Sequence, residues 1–245
     1  MSEPCLTGQG FPFLNPSCTH CMDHLSAYID HTLLSATASE TDVRKICEEA
    51  WIHQFKAVCV SPTYVPYVVE MLEFCPIKIE IATVIGFPMG YSTTAVKVAE
   101  AREALQSGAS ELDVVMNLSQ FKSMAYLSIR EELRQLAELA HEQNALLKVI
   151  IETAYLDSFD LYTVCEICAE AKADFVKTST GFAVSNGSPA GADAEIVRKM
   201  RSILPDEVQI KASGGIKTYE QAVAMIEAGA TRIGTSSGVA IVTRA

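Results

Sequence analysis

The chain has 245 residues, 49% hydrophobic and 20% charged, with a formal net charge of −11. That charge repels polyanions, so nucleic acid and acidic membrane surfaces are poor partners and a small molecule is the expected one, although a local basic site can still hold one phosphate. No run of about 18 apolar residues is present, and Met1-Ser2-Glu3-Pro4-Cys5 lacks the basic start and apolar core of a signal peptide, so a cytoplasmic protein is expected.

Residues 1–24 stand apart as an N-terminal extension, expected to be flexible or to pack on the rest of the chain or on a neighbouring subunit. They carry Cys5, Cys18, His20, Cys21 and His24. Cys18-Thr19-His20-Cys21 matches half of a zinc site, but no second such pair follows, and no metal is assigned. Cys165 and Cys168 are three apart in a helical pattern without companion ligands, and no metal is assigned there either. Together with Cys47, Cys59 and Cys75 they fall in segments that read as helix or strand, where a reduced thiol acts as a small apolar filler.

From residue 25 onward β-branched runs alternate with helical patterns. Strands are predicted at 27–34, 56–60, 78–85, 111–116, 146–152, 175–178, 208–212 and 232–235, with helices between them. Ser39 followed by Asp42 forms an imperfect capping box ahead of Val43, Ile46, Cys47 and Ala50. Helices over 95–107 and 219–228 run into Gly108 and Gly229, where C-caps are expected. Strand starts recur roughly every 20 to 35 residues, the length of a strand and its return helix. Residues 25–245 are therefore predicted to form a single (β/α)8 TIM barrel, a fold that uses nearly the whole chain. A doubly wound sheet is the alternative, but no GxGxxG follows a strand; the first strand ends instead in Asp30-His31-Thr32-Leu33-Leu34.

In a barrel every second strand residue points inward, and reactive groups gather at the C-terminal strand ends. Phe175, Lys177 and Ser179 share one face of the sixth strand. Gln209, Lys211 and Ser213 share one on the seventh, Asp113, Val115 and Asn117 on the fourth, and Lys148, Ile150 and Glu152 on the fifth. The polar set is the inward one each time, so several lysines and acids share one interior, which is costly for a fold that needs only a core. Lys148 with Glu152, or Lys211 with Asp113, could be ion pairs that merely fill the barrel. Amine catalysis is the other reading. A lysine with pKa about 10.4 is free amine roughly once in 2,500 molecules at neutral pH, whereas desolvation and a neighbouring cation that bring it to about 7.5 free roughly a quarter. Lys177, at the end of a buried strand, is the expected nucleophile.

The segments Glu111-Leu112-Asp113-Val114-Val115, Val176-Lys177-Thr178-Ser179-Thr180-Gly181, Ile210-Lys211-Ala212-Ser213-Gly214-Gly215-Ile216 and Ile233-Gly234-Thr235-Ser236-Ser237-Gly238 resemble the signature strands of the deoxyribose-phosphate aldolase family. The likeness extends from about Tyr28 to Val242 through Ile29-Asp30-His31-Thr32, Val60-Ser61-Pro62, Ile85-Gly86-Phe87-Pro88 and Ile150-Ile151-Glu152-Thr153. It implies a metal-free class I aldolase with no cofactor, which cleaves 2-deoxy-D-ribose 5-phosphate reversibly to D-glyceraldehyde 3-phosphate and acetaldehyde. By position in the motifs, Lys177 resembles the Schiff-base lysine, Lys211 the second lysine that perturbs it, and Asp113 the acid of the proton relay. Asp30 and Thr32 resemble pocket residues that meet substrate hydroxyls, and Cys59 a pocket-lining thiol, with buried filler as its alternative. Thr180 and Gly181 follow the nucleophile strand, where Gly181 resembles a backbone contact to substrate. The family often ends in a tyrosine-bearing tail, whereas this sequence ends in Thr243-Arg244-Ala245; water or the Lys211 and Asp113 pair is then expected to protonate the enamine.

The phosphate end has its own signal. Gly214-Gly215 and the stretch from Gly234 to Gly238 leave backbone N–H groups uncovered, and Ser236 and Ser237 add hydroxyls after the last two strands, the usual barrel phosphate position. Lys217 adds a charge, or is a solvated lysine at a helix start. Two other readings remain open: a different Schiff-base barrel enzyme, such as a transaldolase-like or ketose aldolase, and a non-catalytic sugar-phosphate-binding barrel. A homodimer is plausible for a barrel of this size.

Overall fold

The computed structural model describes residues 25–185, 188–189 and 191–244. In chain order the strands are β1 (Ile29–Leu33), β2 (Ala57–Val60), β3 (Glu80–Ile85), β4 (Glu111–Val115), β5 (Leu146–Ile150), β6 (Phe175–Lys177), β7 (Val184–Ser185), β8 (Ser188–Pro189), β9 (Gln209–Ser213) and β10 (Arg232–Thr235). Eight of them pair in parallel and close into a barrel in the order β1, β10, β9, β6, β5, β4, β3, β2, while β7 and β8 form a separate antiparallel ribbon. The expected single (β/α)8 barrel is present. The ribbon was not expected; its two-residue strands are too short to carry a periodic signal.

The helices α1 (Glu40–His53), α2 (Val65–Leu72), α3 (Thr94–Gln106), α4 (Leu118–Lys122), α5 (Tyr126–Glu142), α6 (Ser158–Glu170), α7 (Ala194–Ile203), α8 (Tyr219–Glu227) and α9 (Gly238–Thr243) complete the alternation. The capping box predicted at α1 forms: the Asp42 N–H donates to Ser39 Oγ at 3.3 Å, and Asp42 Oδ2 accepts from the Ser39 N–H at 2.9 Å. Asp157 with Asp160 and Thr218 with Gln221 open α6 and α8 in the same way. Gly108 and Gly229 follow the C-caps of α3 and α8 at φ +104° and +112°, as their positions implied.

The main core lies between the strands and the helices. Leu112, Val114, Leu147, Val149, Val176, Ile210, Ala212 and Ile233 point outward into it, which leaves the alternate residues for the barrel interior. A smaller apolar cluster of Cys59, Ala82 and Val84, joined by Leu34 and Phe87, fills one side of the interior. A buried ion pair crosses the outer layer: Lys97 of α3 donates to Glu132 Oε1 at 2.6 Å and to the Val115 carbonyl at 2.9 Å. It ties α3 and α5 to the top of β4, and both side chains are buried. Among the described residues no helix is long and apolar enough to cross a membrane.

Candidate active site

Ladder register brings the interior charges together. β6 and β9 place Lys177 beside Lys211, β9 and β10 place Lys211 beside Arg232, and β4 and β5 place Asp113 beside Lys148. Asp113 is the hub. Its Oδ2 accepts from Lys177 Nζ at 2.6 Å and from Lys211 Nζ at 2.8 Å, and its Oδ1 accepts from Lys148 Nζ at 2.8 Å. Below it, Lys211 lies 2.5 Å from Asp30 Oδ2, Lys148 reaches Glu111 at 2.5 Å, and Arg232 bridges Asp30 and Glu111 at 2.5 and 2.8 Å. Lys148, Lys177, Lys211 and Arg232 are thus set against Asp30, Glu111 and Asp113, all of them buried.

This arrangement separates the two lysines electrically. Burial pushes the Lys177 amine below its ordinary pKa; Asp113 opposes the shift, and the Lys211 charge adds to it. Burial acts on Lys211 too, but the carboxylates of Asp113 and Asp30 outweigh it and hold its pKa above the ordinary value. Burial would raise Asp113, yet Lys148, Lys177 and Lys211 together hold it well below the usual carboxylate range. Asp113 is therefore an ionised acceptor between a permanent cation and an amine that loses its proton more readily than an ordinary lysine.

Lys177 opens upward into a cavity of about 330 Å³ at the C-terminal end of the strands. Thr32, Thr180 and Gly181 line it. Gly214, Gly215, Lys217, Gly234 and Ser236, from the turns after β9 and β10, line it as well. Gly214 and Gly215 take φ +92° and +75°, a turn that glycine adopts freely. At Gly234 a Cβ would sit 3.0 Å from Lys211 Cε, so the missing side chain also makes room for the second lysine.

Four expectations need correction. Asp30 is fully buried beneath the cavity and engaged by Lys211 and Arg232, because β1 directs it one inward step below Thr32; it does not meet the cavity. Cys59 is not a cavity-lining thiol but a fully buried one inside the apolar cluster, and burial pushes its pKa up. Ser237 lies outside this cavity, lining a neighbouring one against α1 and α9, and its N–H donates to Thr235 Oγ1 at 2.9 Å. Lys148 does not pair with Glu152: it turns to Glu111 and Asp113, and Glu152 accepts from Thr180 instead. The Lys211 and Asp113 pair does form, as part of the larger network.

Sequence reasoning passed over Glu111 and Arg232. Their signal was the parity already in use, since Glu111 lies two residues before Asp113 and Arg232 two before Gly234. Cys47, Cys59, Cys75, Cys165 and Cys168 are free thiols. Among the described residues no group of three or more His, Cys, Asp or Glu side chains is arranged to hold a metal ion. Cys18-Thr19-His20-Cys21 and the rest of residues 1–24 lie outside the described residues.

Residues 24–244 match the model of the DeoC/LacD family aldolase. The chain is 49% identical to a deoxyribose-phosphate aldolase of Thermococcus gammatolerans over 218 residues, covering 89% of this chain and 95% of that one. It is 46% identical to one from Carboxydothermus hydrogenoformans over 219 residues, covering 89% and 93%. Among solved structures, a putative deoxyribose-phosphate aldolase from Coccidioides immitis superposes with a TM-score of 0.85 at 39% identity, covering 91% of this chain and 86% of that one. A deoxyribose phosphate aldolase from Aeropyrum pernix, described as a unique tetramer, gives 0.82 at 35%, covering 91% of each. The family expected from four strand motifs is the one that residues 24–244 match, and the chain belongs to the DeoC/LacD family of aldolases.

Proposed function

We propose that this aldolase reversibly cleaves 2-deoxy-D-ribose 5-phosphate to D-glyceraldehyde 3-phosphate and acetaldehyde through a Schiff base on Lys177. The observation that carries the reading is the shared Asp113 Oδ2, which receives both the Lys177 and the Lys211 ammonium hydrogens inside a buried network. Lys177 as free amine adds to the C1 aldehyde. The Asp113 carboxylate takes up the proton released on the way to the neutral carbinolamine and returns it to the departing hydroxyl, so that water leaves and the protonated imine forms. The imine then accepts the electron pair of the C2–C3 bond as the C3 hydroxyl passes its proton to the Asp113 carboxylate. Glyceraldehyde 3-phosphate departs, the Asp113 carboxyl group returns that proton to the enamine at C2, and hydrolysis of the new imine releases acetaldehyde and the free amine. Lys211 stays an ammonium throughout, so that Asp113 holds a proton only in passing and the Lys177 pKa stays low.

The far end of the substrate suits the glycine turns. Gly181, Gly214, Gly215 and Gly234 with Ser236 leave the cavity wall short of side chains, and Lys217 supplies a cation for the phosphate at that rim. No metal or cofactor is required by this sequence of steps, and the partners are a small sugar phosphate and aldehydes.

Borohydride added with acetaldehyde should trap a covalent adduct of ethyl mass on Lys177, found by peptide mass spectrometry. Lys177→Ala should abolish both the adduct and turnover; an unmodified Lys177 in the native protein would sink the proposal. An adduct formed with a ketone donor only would point to a ketose aldolase instead.

A further inference from the structure

The motif Ile150-Ile151-Glu152-Thr153 has no part in these steps, yet it carries a constrained carboxyl group at the barrel mouth. β5 ends at Ile150, and Glu152 then enters the left-handed region at φ 50° and ψ 71°, which side-chain-bearing residues rarely adopt. The residue is only 3% exposed. Its Oε2 accepts from the Thr180 N–H at 3.0 Å and from the Thr180 hydroxyl, while Oε1 is buried with no hydrogen-bond partner. Thr180 Oγ1 in turn accepts from the Phe182 N–H at 3.0 Å. One residue further along, the Thr153 N–H donates to the Thr178 carbonyl at 2.9 Å. The segment gripped this way lies between the amine and the anion end. Lys177 precedes Thr180 by three residues, and Gly181, at φ +83°, follows it against Gly214.

We infer that Glu152 is a positioning residue: its carboxyl group sets the turn from Thr180 to Phe182, and with it the span between the Lys177 amine and the glycine-lined end of the cavity. The inference rests on the proposed function, since it assigns that end to the phosphate of the substrate. An apolar group at 152 would take the carboxylate acceptor away from the half-buried Thr180 N–H and hydroxyl. A glutamine would still present an oxygen acceptor to both.

The test compares Glu152→Ala and Glu152→Gln with the unmodified protein on 2-deoxyribose 5-phosphate and on unphosphorylated 2-deoxyribose, with borohydride trapping of acetaldehyde as a separate readout. Glu152→Ala should raise KM for the phosphate ester about tenfold while changing KM for the free sugar less than about twofold. Acetaldehyde trapping at Lys177 should persist, and Glu152→Gln should restore the phosphate ester KM to within about twofold. An unchanged ratio of the two KM values in Glu152→Ala, or equal losses on both substrates, overturns the inference. If Glu152→Ala does not fold, Thr180→Val removes the hydroxyl's bonds to Glu152 and to the Phe182 N–H, keeps the Thr180 N–H bond to Glu152, and should move the same ratio in the same direction. Failure of trapping in the unmodified protein would instead refute the Schiff-base reading itself.

Discussion

At Lys177 two requirements meet that oppose each other in solution: the group must be an amine to attack a carbonyl, and it must stay buried so that the imine is sheltered. Four interior cations set against three carboxylates resolve the conflict, because releasing one proton balances the set, and Lys177 is the lysine that burial and its cationic neighbour push downward. Lys211→Leu removes that neighbour and should raise the pKa that governs imine formation; the pH–rate profile would shift to the alkaline side, and an unchanged profile would refute the coupling. Lys177→Met should leave stability unchanged or raise it by about 1 kcal/mol, since an apolar side chain replaces a buried cation in a set that holds one more cation than carboxylates. Asp113→Leu should cost about 3–5 kcal/mol, because three ammonium groups lose their shared acceptor. Urea unfolding of the three proteins measures the contrast.

Among elements, the division of labour follows the strand ends. β1, β4, β5, β6, β9 and β10 supply the charged layer from within the barrel, while the turns after β6, β9 and β10 build the cavity rim. A side chain on a strand is held by ladder bonds on both flanks, which suits the reacting amine; a glycine turn offers backbone donors at close range, which suits an oxyanion. Ser236→Asp would add a negative charge to the rim at the end of β10. KM for the phosphate ester should rise at least about tenfold, with trapping of acetaldehyde at Lys177 unaffected. Equal KM values for Ser236→Asp and the unmodified protein would move the phosphate to another wall.

For the whole molecule, the interior network ties stability to pH in both directions. Asp113 and Asp30 have folded pKa values below the ordinary range, so their contribution is present above about pH 4 and is lost as pH falls toward those folded values. Lys211 is raised, so its contribution is complete below its unfolded value of about 10.4 and is lost as pH rises through the folded one. Lys177 runs the other way: between its lowered folded pKa and about 10.4 the unfolded chain holds the extra proton, and stability rises with pH. Urea midpoints should therefore fall steeply on the acid side and vary gently across neutral and mildly alkaline pH. A midpoint flat down to pH 3 would contradict the assignment.

The barrel itself was legible in the alternation of short strands and capped helices, and strand parity placed Lys177, Lys211 and Asp113 on inward faces, because both signals depend on local periodicity alone. The extent of β5 was not: the predicted strand runs to 152, but Glu152 leaves extended backbone to reach Thr180, a contact 28 residues away. Asp30 reads as a pocket residue at the end of a strand until closure of the barrel brings Arg232, 202 residues later in the chain, against it. Sequence by itself determined which side chains face inward, since that follows from the two-residue repeat of a strand. Only the tertiary structure decided which of them lie at the same height and share a charge, since that depends on the stagger of strands across a closed sheet, which no local pattern encodes.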